Sequence, residues 1–277
     1  MPNTPAKSVL ITGCSTGIGL CLAQGLKQNG YQVFASCRSE KDSEILKKSG
    51  LQSPVIDLQD SRSISNGLNQ VLEITGGKLY GLINNGAYGQ PGAVEDLNRS
   101  TLQKQFETNV FGTQELTNRV IPIMRQANQG RIIQLSSVLG FVCLKYRGAY
   151  NSTKYALEAL TDTMRLELEG TGIKLSLIEP GPIESDFRRN AYQMYKANID
   201  YRSSFHQSGY LGLENRLLSR KPVQFTLPAE AVLKTAVHAL ESTSPKIRYR
   251  VTTPTKIFSI LKRLLPDRMM DRILGKN

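Results

Sequence analysis

Ser8-Val9-Leu10-Ile11-Thr12 is a short apolar run, and Gly13-Cys14-Ser15-Thr16-Gly17-Ile18-Gly19 follows it at once, opening a helical pattern that continues to Leu26. A buried strand that feeds a glycine-rich turn and then a helix leaves few folds open. The glycines let the chain turn tightly, and they let backbone N–H groups approach a phosphate at the positive end of a helix. The spacing G-x-x-x-G-x-G departs from the G-x-G-x-x-G dinucleotide fingerprint. The stretch therefore reads as a nucleotide-binding turn of an α/β chain, against the plainer alternative of an ordinary glycine turn.

A second constraint lies in residues 134–154. Gln134-Leu135-Ser136-Ser137 is followed, after twelve residues, by Tyr150-Asn151-Ser152-Thr153-Lys154. If the run after Tyr150 is helical, Tyr150 and Lys154 stand one turn apart on one face. A phenol titrates near ~10 and is a poor proton carrier at neutral pH; a lysine ammonium beside it is expected to favour the phenolate. Ser137 adds a hydroxyl suited to holding a substrate oxygen. Together the three groups can move a proton to or from a carbonyl or an alcohol. Y-x-x-x-K alone also describes many exposed helix faces, so the surroundings decide.

With the glycine pattern of residues 12–19, Asn109, Ser137, Tyr150 and Lys154 in view, the sequence resembles the classical short-chain dehydrogenase/reductase family from about Lys7 to Val251. Within it the chain looks most similar to the retinol dehydrogenase and 17-beta-hydroxysteroid dehydrogenase branch, and its end resembles bacterial NADP-dependent aldehyde reductases. The resemblance implies a Rossmann-type doubly wound α/β fold in a single domain, with a mostly parallel sheet of about seven strands. It implies a cofactor-binding and catalytic core over 7–185, a substrate lid over 186–227 and a basic extension over 245–277. It assigns Asn109, Ser137, Tyr150 and Lys154 to catalysis, with Asn109 shaping its helix and holding a water that leads to the lysine. Gly13, Ser15, Thr16, Gly17, Ile18 and Gly19 would cradle the cofactor, Asp57 and Leu58 would border the adenine, and Asn85, Tyr150, Lys154, Pro180, Gly181, Ile183 and Ser185 would complete the site. The family usually reads Asn-Asn-Ala-Gly where this chain has Asn84-Asn85-Gly86-Ala87, which puts an extra Cβ at the second of the exchanged positions.

The remaining elements read in order. The run 32–36 is a second strand, ending in Ser36-Cys37-Arg38-Ser39. An NAD site commonly has Asp or Glu there to accept from the ribose 2′-OH. Here the acid is missing and a guanidinium suits a 2′-phosphate, so NADP(H) is the expected cofactor; a plain surface charge is the alternative for Arg38. Further strands are expected at 54–57, 79–84, 131–136, 173–179 and 247–251. Helices are expected at 61–75, over the whole of 100–127, at 150–170 and at 228–241. The resemblance makes 100–127 and 150–170 a subunit interface, hence a homo-oligomer, although core packing explains their apolar faces equally well. Residues 186–227 have no clear period, and their Phe187, Tyr192, Met194, Tyr195, Tyr201, Phe205 and Tyr210 favour an apolar substrate. His206 and His238 are isolated and read as structural.

Composition removes several other functions. A chain of 277 residues with 40% hydrophobic and 21% charged residues is globular in kind. No run of eighteen apolar residues spans a bilayer, no signal peptide is visible, and Cys14, Cys21, Cys37 and Cys143 show no metal-ligand spacing, so reduced thiols in a cytoplasmic protein without a metal are expected. The formal charge is +12. Of this, +7 lies in 245–277, where nine Lys/Arg meet two Asp/Glu, and +5 in the rest. No nucleic-acid-binding motif accompanies the charge, so no such partner is expected. In the tail, Ile257, Ile260, Leu261, Leu264 and Leu265 project to one face with Phe258 at its edge, and Lys256, Ser259, Lys262 and Arg263 to the other. After Pro266, Met269, Met270, Ile273 and Leu274 oppose Asp267, Arg268, Asp271 and Arg272. Two amphipathic helices follow. They fit packing on their own domain, a neighbouring subunit, or peripheral contact with an anionic membrane surface. The expected function is NADP-dependent interconversion of an apolar carbonyl compound and its alcohol; the alternative is a catalytically silent NADP-binding sensor or interaction protein.

Overall fold

In β1 (Ser8–Ile11), Val9 and Ile11 point to one side and Leu10 to the other, and all three are fully buried. A strand apolar on both faces must lie inside a sheet covered on both sides. The computed structural model, which describes residues 6–219 and 221–275, places it there. The turn after β1 leads into α1 (Gly17–Gln28), then β2 (Gln32–Ala35), α2 (Glu40–Lys48) and α3 (Ser61–Thr75). Next come β3 (Gly81–Asn84), α4 (Arg99–Phe106), a π-helical segment (Glu107–Gly112) and α5 (Thr113–Gln126). β4 (Gly130–Leu135), α6 (Gly148–Glu167) and β5 (Ile173–Glu179) follow, then α7 (Phe187–Asn198), α8 (Gln207–Leu218) and α9 (Glu230–Glu241). β6 (Arg248–Arg250), α10 (Thr253–Leu264) and α11 (Asp267–Leu274) end the described chain.

The strands form one parallel sheet in the order β2-β1-β3-β4-β5-β6. Val9, Ile11, Ile83, Ile133 and Ile178 pack against Leu22 and Leu26 of α1 and Val232 and Ala236 of α9. Leu10, Leu82, Ile132 and Leu175 pack against Ile64 and Leu68 of α3, Leu116 and Val120 of α5 and Met164 of α6. This is the doubly wound arrangement. The order reverses between β1 and β3, and ligands of such sheets bind in the crevice at that switch point.

Two expected elements differ. The run 54–57 was expected as a strand and would have made the seventh. Here only isolated bridges form, Phe34–Gln52 just before the run and Cys37–Val55 beyond the end of β2, so six strands form the sheet. Pro54 has no N–H to give to a ladder, and the Ser53 hydroxyl takes over by donating to the Ala35 carbonyl at 2.8 Å. The single helix expected over 100–127 is three pieces. Within it the Thr113 hydroxyl donates to the Thr108 carbonyl, five residues back, at 3.2 Å. Position 112 at the end of that segment must be glycine, since a Cβ on it would lie 1.8 Å from the Leu58 carbonyl oxygen.

The segment 186–227 is far more ordered than its sequence suggests. α7 and α8 pack on each other around Tyr195 and Tyr210, both essentially inaccessible, with rings 5.4 Å apart. Tyr210 also donates to the Asp96 carboxylate and accepts from the Ala93 N–H. Most of the aromatic side chains expected to receive an apolar substrate thus build a small core of their own. Phe187 and Met194 line the cleft; Phe205 is almost fully exposed. His206 bonds Glu95 and His238 bonds the Tyr249 hydroxyl; neither lines the cleft.

The two tail helices pack on their own chain. Phe258, Leu261, Leu265, Met270 and Leu274 close over Leu139 and Val142, beside Tyr150. Ser259 was expected on the outward polar face but is buried, while Ile257, Ile260, Leu264 and Met269 stay exposed. The apolar stripe is wider than one contact can use, and its inner half is the half that reaches the loop after β4. No described helix is long and apolar enough to cross a membrane. Truncation before Lys256 should therefore lower thermal stability by several kcal/mol, on the order of 10 °C in Tm, because five apolar side chains lose their seat. A calorimetric scan checks this; an unchanged Tm would mean the tail adds no packing energy.

Candidate functional site

The site grows from the turn after β1. The Thr12 hydroxyl accepts from the N–H groups of Asn85 and Gly86 at 3.0 and 2.9 Å. The Asn85 amide donates to the carbonyls of Thr12 and Gly13, both at 2.9 Å. Gly13 has φ +70°, and a Cβ on Gly19 would stand 2.1 Å from the Gly13 carbonyl oxygen. Only glycines allow this knot between the ends of β1 and β3. The N-terminus of α1 beside it carries no acidic side chain in its first turn, and Thr16 makes no capping bond there. The first N–H groups of the helix are thus left to a ligand, and an anion fits them.

A cleft of about 800 Å³ opens over this turn and runs to Tyr150. Gly13, Ser15, Thr16, Gly17, Ile18, Gly19, Arg38, Asp57, Leu58 and Asn85 line one half. Ser137, Tyr150, Lys154, Pro180, Gly181, Ile183 and Ser185 line the other. Every expected site residue except Asn109 borders this one space. Arg38 follows β2, is exposed, and makes no hydrogen bond or ion pair among the described residues. At the exchanged pair, the Gly86 N–H donates to the Thr12 hydroxyl and Ala87 forms part of the cleft wall. A dinucleotide fits this cleft in the plain sense that its glycine cradle would be filled by any Cβ and its helix end lacks a counter-anion.

Asn109 lies behind the wall, buried in the π-helical segment. Its carbonyl accepts from the Tyr88 N–H at 3.1 Å, and its amide donates to the Tyr88 carbonyl at 2.9 Å and the Thr153 hydroxyl at 3.2 Å. It therefore ties the loop after β3 to α6 rather than bonding its own helix.

Ser137 stands at the C-terminal end of β4, where its Oγ accepts from the Leu139 N–H at 3.1 Å. Tyr150 and Lys154 lie one turn apart on α6 as their spacing predicts. The buried Lys154 Nζ donates to the Leu135 carbonyl at 2.6 Å and sits 5.6 Å from the centre of the Tyr150 ring. Burial pushes the Tyr150 phenol up to about 12, with the Ser137 hydroxyl and then the Arg147 guanidinium opposing. Burial also pushes Lys154 down to about 8, opposed by Glu158. In the protein alone the groups that favour the phenolate are Ser137 and then Arg147, and desolvation outweighs both.

Some roles at the site escaped the sequence reading. Thr12 was counted with the strand and the glycine pattern, without its two accepted bonds, although a hydroxyl directly before a glycine turn is a signal. Phe187 was expected to favour an apolar substrate, and its ring also packs edge-on against Tyr150, with centroids 5.2 Å apart. Arg147, three residues before Tyr150, lines the cleft. No group of metal-binding side chains exists among the described residues.

The family model described as short chain dehydrogenase matches residues 7–196. An uncharacterized oxidoreductase, YbbO, of Escherichia coli K12 is 42% identical over 275 residues, covering 97% of this chain and 94% of that one. An NADPH-dependent 3-dehydrocapnine reductase of Ornithobacterium rhinotracheale is 30% identical, covering 97% and 96%. Retinol dehydrogenase 16 of Mus musculus is 30% identical, covering 97% and 87%. With its glycine turn, its Ser137, Tyr150 and Lys154 and these matches along nearly its full length, the chain belongs to the short-chain dehydrogenase family of oxidoreductases.

Proposed function

We propose that this protein is an NADP-dependent oxidoreductase that interconverts an apolar carbonyl compound, an aldehyde or a ketone, and its alcohol. The observation that carries the reading is the meeting of Ser137, Tyr150 and Lys154 at the end of β4, in the same cleft as the glycine cradle at the end of β1. Bound NADPH would supply the hydride that reduces the carbonyl carbon. The chain's own residues do the rest. The α1 N-terminus with Gly13, Ser15, Thr16, Gly17, Ile18 and Gly19 holds the phosphates. Arg38 pairs with the 2′-phosphate, a reading supported by the missing acid after β2 and by the relative described as NADPH-dependent. Asp57, Leu58 and Asn85 border the adenosine half; Pro180, Gly181, Ile183 and Ser185 border the nicotinamide.

The Ser137 hydroxyl bonds the substrate oxygen and stabilises the charge that develops on it. Tyr150 donates its proton to that oxygen. A phenol held near 12 is fully protonated at neutral pH, which suits an acid acting in the direction of reduction. Lys154 returns a proton from within the wall, with Asn109 supporting a water on that route. Its ammonium, held near 8, gives up a proton more readily than an exposed lysine does.

Tyr150→Phe should lower kcat by about 10²–10⁴-fold and leave NADPH binding nearly intact, because the ring stays and only the transferable proton goes. Turnover with an aldehyde panel and NADPH titration check it together; near-normal kcat would assign the acid elsewhere. Absence of turnover in the unaltered protein, with NADPH bound, would instead favour a silent sensor.

Arg38→Asp should move the kcat/KM ratio of NADPH to NADH toward NADH by at least tenfold, since like charges juxtaposed cost several kcal/mol. An unchanged ratio would place the 2′-phosphate against another residue.

Peripheral contact with an anionic lipid surface is part of the same proposal. Its support is the exposed ridge of Ile257, Ile260 and Leu264, flanked by Lys256, Lys262 and Arg263. The intact protein should co-sediment with phosphatidylserine-containing vesicles at low salt and release as salt rises. Failure to sediment at low salt would end that part.

A further inference from the structure

Positive charge gathers on the Tyr150 side of the cleft without an anion to answer it. Arg147, Arg188 and Arg216 all line this half of the cavity. The carboxylates that line the cleft are Asp42, Asp57 and Asp186. Asp42 caps with Ser39, Asp57 accepts from the Gln59 N–H, and Asp186 pairs with Arg189 at 3.0 Å. None of them answers the three guanidinium groups.

Two of the three have ordinary work. Arg188 donates to the carbonyls of Ser219 and Lys221, holding the end of α8, and Arg216 lies in the last turn of α8, where a cation suits the helix dipole. Arg147 has no hydrogen bond or ion pair from its side chain among the described residues. Burial, together with Arg216 and Arg188, pushes its guanidinium down to about 10, and only Tyr150 is counted in its favour.

The backbone holds Arg147 in this position. Tyr146, just before it, has φ +61°, a left-handed conformation that is costly for a bulky residue. The Tyr146 carbonyl accepts from the Gly92 N–H at 3.0 Å, and its ring packs against Tyr210 at 5.4 Å. The Tyr146 ring is thus fixed in the lid core, and Arg147 follows on the cleft side, three residues from Tyr150. A half-buried arginine without a partner leaves its N–H donors open to a ligand anion.

We propose that the substrate carries an anionic group, a carboxylate, sulfonate or phosphate, beside the carbonyl that Tyr150 serves, and that Arg147 binds it with Arg188 and Arg216 adding to the field. The inference rests on the carbonyl-reducing function proposed above. It turns an apolar substrate into an amphiphilic one, with its chain toward Phe187 and Met194 and its charge at Arg147. A planar guanidinium suits this because it binds such oxygens in a bidentate manner.

Matched probes test it: 4-oxododecanoate, its methyl ester, and dodecanal, each with NADPH. The unaltered enzyme should favour the acid over the ester in kcat/KM by roughly ten- to hundredfold, the range expected for bonds to a charged group. Arg147→Gln should bring that ratio to within about twofold, mainly through KM for the acid, and Arg147→Lys should restore part of it, as a point charge without the fork. Equal use of acid and ester by the unaltered enzyme would overturn the proposal. So would an Arg147→Gln variant that stays folded by its melting curve and keeps the preference, or one that loses NADPH affinity instead. Failure to oxidise NADPH with all three probes, dodecanal included, would count against the carbonyl-reducing function itself.

Discussion

The close approach of β1 and β3 is the constraint on which the rest of the molecule turns. Thr12 accepts two N–H groups from the far strand's end, and Asn85 returns two bonds to the carbonyls of Thr12 and Gly13. Those four bonds fix the glycine turn, and the turn fixes where α1 starts. The side of β1 that carries Val9 and Ile11 is then committed to α1 and α9, and Leu10 to the other layer. A one-residue slip would exchange the two layers, so the knot sets register as well as the position of the uncapped α1 N-terminus. Structure and ligand site share one set of bonds here, and any substitution at Thr12 or Asn85 acts on both.

A second anchor lies at the other end of the cleft. Glu179 at the end of β5 is almost fully buried and pairs with Arg248 at 3.1 Å and Arg250 at 3.3 Å. Arg248 also reaches Glu158 on α6 at 3.0 Å. Burial holds Glu179 up to about 7, aided by Glu158 and opposed by the two arginines. Such a cluster is weak evidence of net stability, but losing one member costs about 3–5 kcal/mol because the others remain buried and uncompensated. Its geometry matters more: it ties β6, and so the start of the tail, to the helix that carries Tyr150 and Lys154. The tail then closes over Leu139 and Val142, so a segment that looks like an appendage in sequence supports the loop bearing Ser137.

What the sequence disclosed followed from local rules. Continuous apolar runs for buried strands, the glycine spacing and the one-turn separation of Tyr150 and Lys154 each concern neighbours in the chain, and each reads correctly from neighbours alone. The failures involve distant partners. Residues 54–57 have strand-like composition, yet Pro54 and the Ser53 side chain break the ladder against β2. The helix over 100–127 contains a π-helical segment that ends where Gly112 meets the Leu58 backbone, a contact across more than fifty residues that no periodicity carries. The aromatic residues of 186–227 were legible as apolar, but their direction was not: Tyr195 and Tyr210 face each other rather than the cleft. The tail showed one apolar face in projection and has two uses for it, with Ser259 turned inward and Ile260 outward.

The same desolvation acts on Tyr150 and Lys154 with opposite results. It pushes the phenol up to about 12 and the ammonium down to about 8, because in each case water is withdrawn from the charged form. In water the two groups titrate close together; here the order favours a neutral tyrosine. In that state the phenol keeps its proton and the lysine is the group that titrates near neutrality. Under the proposed function, a proton given up by Tyr150 would be replaced from Lys154 one helical turn away, whose Nζ is anchored by the Leu135 carbonyl at the end of the strand that delivers Ser137. Charge that forms on a substrate oxygen would lie among Ser137, Tyr150 and Arg147, and the field of the three arginines would stabilise it further. A bound carboxylate or sulfonate would neutralise part of that field. On that proposal the anion and the developing oxyanion would compete for one electrostatic resource, and the identity of the substrate's charged group would bear on the rate of the proton step.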